Sequence, residues 1–156
     1  MKVRPFRTDD APALSQIFYR AVHDIAGLHY TPDQIAAWAP QPPKAERFVA
    51  RGTDGRILLV AVDDSDVPLA YGDCETDGHI DHLFCRPDHA GTGLAAALYS
   101  ALEAAAKERG IRALYVEASE PARRFFARQG FTTDARNDFV LNGVDMHNFR
   151  MTKQLV

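Results

Sequence analysis

The sequence predicts a mixed α/β chain of the α+β kind, with about seven strands, most of them antiparallel, flanked by helices. Three observations predict it. Short apolar runs with two-residue alternation recur along the chain. Several are joined by tight polar turns, at residues 63–66, 76–78 and 142–143, which suit hairpins. Between them stand stretches with apolar residues at helical spacing, the longest at residues 94–109.

Residues 3–7 read as the first strand. Thr8 or Asp9 then serves as the N-cap of a helix over about residues 10–25, because Leu14, Ile17, Phe18, Ala21 and Val22 fall on one face. Thr31-Pro32 opens a short second helix through Ala39, Thr being a good cap and Pro suiting the first helical position; Pro40, Pro42 and Pro43 end it. A third helix, roughly residues 44–51, leads to strands at 56–63 and 67–75. The fourth strand, residues 79–85, feeds a loop and then a helix carrying Leu94, Ala97, Leu98, Ala101, Leu102 and Ala105 on one side, with Gly110 as its stop. A fifth strand at 111–117, a short helix at 121–129 and a hairpin of 131–141 with 144–152 complete the order. No repeat or linker interrupts it, so residues 1–156 read as one domain.

Composition narrows the function. With 46% apolar and 25% charged residues the chain can bury a core of its own. A net charge of −3 argues against a duplex nucleic-acid binder and suits a small-molecule or amine substrate. No apolar run approaches the ~20 residues that span a bilayer, and nothing at the start resembles a signal segment, so a cytoplasmic location with no membrane partner is expected. Cys74 and Cys85 lie too far apart along the expected hairpin for a disulfide and read as free thiols. No metal is expected.

The strand-to-helix junction Leu83-Phe-Cys-Arg-Pro-Asp-His-Ala-Gly-Thr-Gly-Leu-Ala-Ala-Ala-Leu98 is the most informative stretch. The first turn of a helix has N–H groups without acceptors and a partial positive charge, and glycine lets an anion approach the main chain. Such a junction binds phosphate. Gly91-Thr-Gly-Leu-Ala-Ala96 also satisfies the dinucleotide pattern Gly-x-Gly-x-x-Gly/Ala, with Glu117 as a possible ribose-binding acid. Two features weigh against an oxidoreductase fragment: five residues separate the glycines from the strand, and too few βα units follow.

The same residues resemble the acyl-CoA pyrophosphate loop of the GNAT superfamily of N-acyltransferases, whose pattern is Gln/Arg-x-x-Gly-x-Gly/Ala. Here Ala90 stands where the leading Gln/Arg is usual, which removes a side-chain contact and keeps the backbone amides. The resemblance extends through the Ser119 turn, the segment Ala122-x-x-Phe-Phe-x-x-x-Gly-Phe131 and the final hairpin. The runs Ala21-Val-His-Asp-Ile25, Tyr30-Thr-Pro, Gln34-x-x-x-Trp-Ala-Pro40, Gly78-His-Ile-Asp81 and Val116-Glu-Ala-Ser119 resemble a bacterial subgroup of uncharacterised GNAT proteins.

The resemblance implies the GNAT fold, with splayed fourth and fifth strands and acetyl-CoA lying between them, its acetyl group passing directly to an amine of a small molecule or peptide. Cofactor contacts would come from Phe84 and Cys85 on the strand, from Ala90, Gly91, Thr92, Gly93, Leu94 and Ala95 in the loop, and from Ser119 and Phe126. The Cys85 amide is the candidate for polarising the thioester carbonyl. An amine must lose a proton to attack, which makes His79, Asp81 and Glu117 candidate bases. The bland alternatives are that Asp81 and Glu117 orient main chain in the strand split and that His79 faces solvent. Phe126 occupies the position where many relatives have a proton-donating Tyr, so that role does not carry over. Ser119 serves equally as a plain N-cap. His23, Tyr30 and Trp38 are the candidate acceptor wall, Trp38 equally a core residue. The final hairpin offers an edge for a homodimer. Without the Tyr and the Gln/Arg, a non-catalytic acyl-CoA sensor is the second reading.

Overall fold

The computed structural model describes residues 1–155 of the 156. Seven strands form two antiparallel sheets. The first runs in the order β1 (Lys2–Pro5), β2 (Ile57–Val62), β3 (Pro68–Cys74), β4 (Leu83–Cys85). The second is β5 (Ala113–Ala118), β7 (Val144–Gln154), β6 (Thr132–Leu141), with β7 central. Among the described residues the two sheets meet in one parallel bridge, His79 with Tyr115, where Ile80 N–H donates to Tyr115 O at 2.9 Å and Tyr115 N–H to Gly78 O at 3.0 Å. Beyond it β4 and β5 are not paired with each other among the described residues. The split expected between the fourth and fifth strands is therefore present.

Five helices cover the sheets. α1 (Ala11–Asp24), α2 (Pro32–Trp38) and α3 (Ala45–Gly52) bury Leu14, Phe18, Val22, Ile35 and Phe48 against Val60 and Tyr71. α4 (Leu94–Glu108) sets Leu94 and Leu98 on Ala61 and Leu69, and Tyr99 and Leu102 on Val116 and Met151, so one helix bridges both sheets. α5 (Glu120–Arg128) closes the second sheet through Phe126. The Asn142-Gly143 turn takes positive φ at both residues, 50° and 78°, as a tight hairpin turn requires. Thr31 and Gln34 exchange side-chain and main-chain bonds in a capping box at α2. Both cysteines are free, and Cys85 pairs with Ala70, four residues from Cys74.

Two sequence expectations require correction. Neither Thr8 nor Asp9 caps α1: residues 8–10 form a 3-10 turn, and the Asp10 carboxylate accepts the Arg7 N–H at 2.8 Å. Asp10 is held there by a two-pronged bond from the buried Arg4 guanidinium, 2.8 Å to each oxygen. Burial alone would raise the Asp10 pKa, but bonds from Arg4 and Arg7 lower it below the ordinary value. Its contribution to stability is thus present above the unfolded carboxylate pKa and lost as pH falls through the lower folded value. Asp10→Asn is expected to cost about 2 kcal/mol and lower Tm by about 4–8 °C at neutral pH, read by thermal denaturation. An unchanged Tm would show the pair to be idle.

The fourth strand is the other correction, since only residues 83–85 of the expected 79–85 are ladder-paired with β3. Asp73 is the cause. Its carboxylate, fully buried on β3, accepts the N–H groups of Asp81 and His82 at 3.0 and 2.9 Å, so a side chain replaces the main-chain acceptor of the ladder, while Asp73 N–H still donates to His82 O and Glu75 N–H to His79 O.

Candidate active site

At the start of α4 the chain leaves β4 through a 3-10 turn at Pro87–His89, extends at Ala90 and takes positive φ at Gly91 (76°) and Gly93 (84°). Glycine is demanded here by conformation and not by crowding: a Cβ on either residue would meet no atom within 4 Å. Thr92 turns its hydroxyl inward to donate to His89 O at 2.6 Å. The N–H groups of Gly91, Thr92 and Gly93 have no acceptor among the described residues, and those opening α4 have none within the helix. Leu94 buries its side chain in the core and offers only main chain. Ala90, Gly91, Gly93 and Ala95 line a cavity of about 490 Å³.

That cavity continues into a second of about 480 Å³ beside the sheet split. Trp38, Phe84, Ser119 and Phe126 border both, so the two cavities adjoin along this shared wall, here called the waist of the passage. Register decides what the strand edge shows there. Arg86 N–H donates to Leu69 O and Asp73 N–H to His82 O, so the residue pairs 69/86, 71/84 and 73/82 face one another and Leu83 and Cys85 turn their N–H and C=O groups outward, toward the opening. Ser119 precedes α5 in extended conformation but makes no side-chain cap bond, leaving its hydroxyl unengaged at the waist. Phe126 is 2% exposed and packs edge-on against Phe125 and Phe131.

The second cavity gathers the titratable groups. His79 Nε2 is 2.5 Å from Glu117 Oε2 and Nδ1 is 2.7 Å from Glu75 Oε1, while its ring stacks on Tyr115 at 4.7 Å. Burial would lower the His79 pKa, yet the bonds to Glu75 and Glu117 outweigh it and hold it above the ordinary value. Asp81 is tied to Arg51 Nη2 at 2.6 Å, and Arg51 and Arg56 both bind Asp73. Burial opposes ionisation of Asp81, but His82 and the Arg51 guanidinium bring its pKa below the ordinary value. His82 stacks on Phe18 and bonds Tyr71 Oη at 2.9 Å; burial, then Arg51, pulls it down to about 4, so it is neutral at pH 7. On the far side the Tyr30 hydroxyl oxygen accepts the Glu120 N–H at 2.9 Å, and His147 Nε2 lies 3.0 Å from Glu120 Oε1.

Of the residues singled out in the sequence, His79, Asp81, Glu117, Tyr30 and Trp38 line the second cavity, and Phe84, Ser119 and Phe126 the waist. His23 stands apart: its Nε2 bonds Ala39 O at 2.7 Å, its ring tilts on Tyr19, and it borders neither cavity. Glu117 faces an imidazole and not a ribose site, and the antiparallel sheets exclude the doubly wound topology of the dinucleotide alternative. Sequence reasoning missed Glu75, His82 and His147. The spacing Glu75-x-x-x-His79 gave no clue, because the two meet across a turn. His82 was masked by strand alternation, which Asp73 breaks.

Fold and passage together define an acyltransferase. A family model described as an acetyltransferase (GNAT) domain matches residues 28–153, and the chain belongs to that family. It is 30% identical over 151 residues to an uncharacterised N-acetyltransferase of Escherichia coli, YafP, covering 97% of this chain and 94% of that protein. It is 29% identical to an uncharacterised N-acetyltransferase of Mycobacterium tuberculosis, covering 94% and 99%. Among solved structures, a GCN5-related N-acetyltransferase from Rhodopseudomonas palustris superposes with a TM-score of 0.90 at 33% identity, covering 99% of this chain and 95% of that one. A putative acetyltransferase from Salmonella typhimurium, solved with acetyl-CoA, shares the fold with a TM-score of 0.78 at 22% identity over 100% and 94%. No helix among the described residues is long and apolar enough to cross a membrane.

Proposed function

We propose that the protein is an N-acetyltransferase that takes acetyl-CoA along the passage and transfers the acetyl group directly to a primary amine. The observation that supports this best is a pair of adjoining cavities that bring together a helix start with free N–H groups, an open strand edge and an acid–imidazole set. The residues fit such a donor. Main-chain amides from Gly91 to Ala95 would hold the pyrophosphate, and the outward groups of Leu83 and Cys85 would pair with an extended arm as an added strand does.

When bound, acetyl-CoA would supply an electrophilic thioester carbon and a thiolate leaving group, which takes its proton from water, Phe126 having none to give. The Cys85 N–H is free to stabilise the negative charge that gathers on the carbonyl oxygen. Its thiol is pushed up to about 11 by burial, which leaves it protonated and a poor nucleophile at neutral pH. Asp81 and Glu117 play different parts. Asp81, permanently ionised beside Arg51, is too weak a base and serves as an anchor for an incoming ammonium. Glu117 accepts the amine proton and shares it with His79 Nε2, whose other nitrogen donates to Glu75; Glu75, with its side chain 37% exposed, returns the charge to solvent.

Two measurements test this reading. Acetyl-CoA should be consumed with thiol release when amines are supplied, and CoA, but not NAD or FAD, should raise Tm by mass action. Cys85→Ala is expected to keep kcat within about threefold, since the main-chain donor survives; a dead variant would point to covalent transfer. The second reading, a sensor, draws on Ala90 and Phe126, which lack the side chains usual in relatives. It requires the rise in Tm with no thiol released from any amine.

A further inference from the structure

The acceptor half of the passage has a composition that selects among amines. We infer that it takes a small monoamine with an apolar, ring-sized body and no anionic group, an inference that rests on the acetyl-transfer reading above. The acids of this lining are Asp81 and Glu117, which stand with His79 in one cluster, His79 Nε2 bonding Glu117. Much of the remaining wall is aromatic and apolar, with Phe18, Tyr30, Trp38, Phe84, Phe139 and Met146, and its polar members His82, Ser119, His147 and Asn148 include no acid, Arg or Lys. Tyr30 sets its ring edge-on to Trp38, and Trp38 edge-on to Phe84, with centroids 5.8 and 6.5 Å apart. Phe139 is a large apolar side chain left 39% exposed at this wall, opposite Met146 in the β6–β7 ladder. An uncovered ring in a concave lining is what a ligand body would cover.

Charge excludes the alternatives. No Arg or Lys lines this half of the passage among the described residues. Arg51 is committed to Asp73 and Asp81, and Arg56 to Asp54 and Asp73. Arg150 lies over the Tyr115 ring at 4.3 Å and reaches Glu117 only at 4.0 Å, outside the lining. An amino acid would therefore bring its carboxylate toward the acids Asp81 and Glu117 with no Arg or Lys in the lining to pair it. A polyamine would need a further anion, and the lining holds no acid besides Asp81 and Glu117 among the described residues; Glu120, outside it, already bonds His147. A monoamine meets neither cost: its ammonium goes to Asp81 and Glu117, and its body lies against the rings, where aromatic faces also favour a cation.

The test measures kcat/KM by thiol release, using the full chain, acetyl-CoA and four probes: 2-phenylethylamine, phenylalanine, spermidine and a short peptide with a free N-terminus. 2-Phenylethylamine and phenylalanine carry the same body and differ by the carboxylate, so their ratio reads the charge argument directly. The amine is expected to exceed each of the others by at least about tenfold. Phe139→Ala, at a half-exposed position that folding tolerates, is expected to raise KM for 2-phenylethylamine by about tenfold with kcat little changed. Phenylalanine, spermidine or peptide turned over as fast as 2-phenylethylamine, or an unchanged KM in Phe139→Ala, overturns the inference and leaves acetyl transfer standing. CoA binding with no thiol released from any probe or from a wider amine panel overturns the transfer reading itself.

Discussion

Glu117→Gln is expected to lower kcat by about 10²–10⁴-fold, the range for losing a positioned acid–base group, with the CoA dissociation constant changed less than about twofold. The substitution keeps the side-chain shape and one oxygen toward His79 Nε2, but it cannot accept the amine proton. Glu75→Gln separates a relay from a lone base. In the relay the working state lacks one proton on the Glu75–His79–Glu117 set, so the rate rises with pH through a value above that of an ordinary histidine. Removing the Glu75 charge takes away one of the three carboxylates that raise it, while Glu117, Asp81, Asp77 and Arg150 remain around the ring. The midpoint of the pH–rate profile is then expected to move toward lower pH, with a smaller loss of kcat than in Glu117→Gln. A profile that keeps its midpoint would detach Glu75 from the chemistry, and a Glu117→Gln enzyme with full kcat would remove the base.

What could be read in the sequence was what depends on near neighbours in the chain. The Thr31 cap before Pro32, the Asn142-Gly143 turn and the spacing of Leu94, Leu98 and Leu102 are decided within a few residues, and each appears as expected. The glycine loop was legible for the same reason, its two positive-φ residues lying three and one positions before Leu94, where the helix opens. The acceptor half was legible only in part, because partners there come from far away: Arg51 reaches Asp81 across 30 positions and His79 reaches Glu117 across 38. Asp73 shows the difficulty. Its carboxylate sits on a strand read as ordinary ladder, yet it diverts the next strand and so determines where His79, Asp81 and His82 lie. His23 shows the converse, a residue of suggestive type whose bond to Ala39 is purely structural in kind.

Gly91→Asp is expected to weaken CoA binding at least about 100-fold, because two like charges ~4 Å apart at an effective dielectric near 20 repel by about 4 kcal/mol. The position allows the electrostatic and conformational parts to be separated. At φ 76° an L side chain is strained, but a Cβ meets no atom within 4 Å, so Gly91→Ala pays the backbone cost without a clash or a charge. Asp tolerates positive φ better than Ala does, so any folding penalty should be larger for the alanine variant, as read by Tm without ligand. Binding should rank the other way, with Gly91→Asp far weaker than Gly91→Ala in calorimetric titration. High salt should narrow the gap, since charges at an exposed loop are screened. An aspartate variant that binds CoA as tightly as the alanine variant would place the pyrophosphate elsewhere, and the reading of the passage from the α4 start would fall with it.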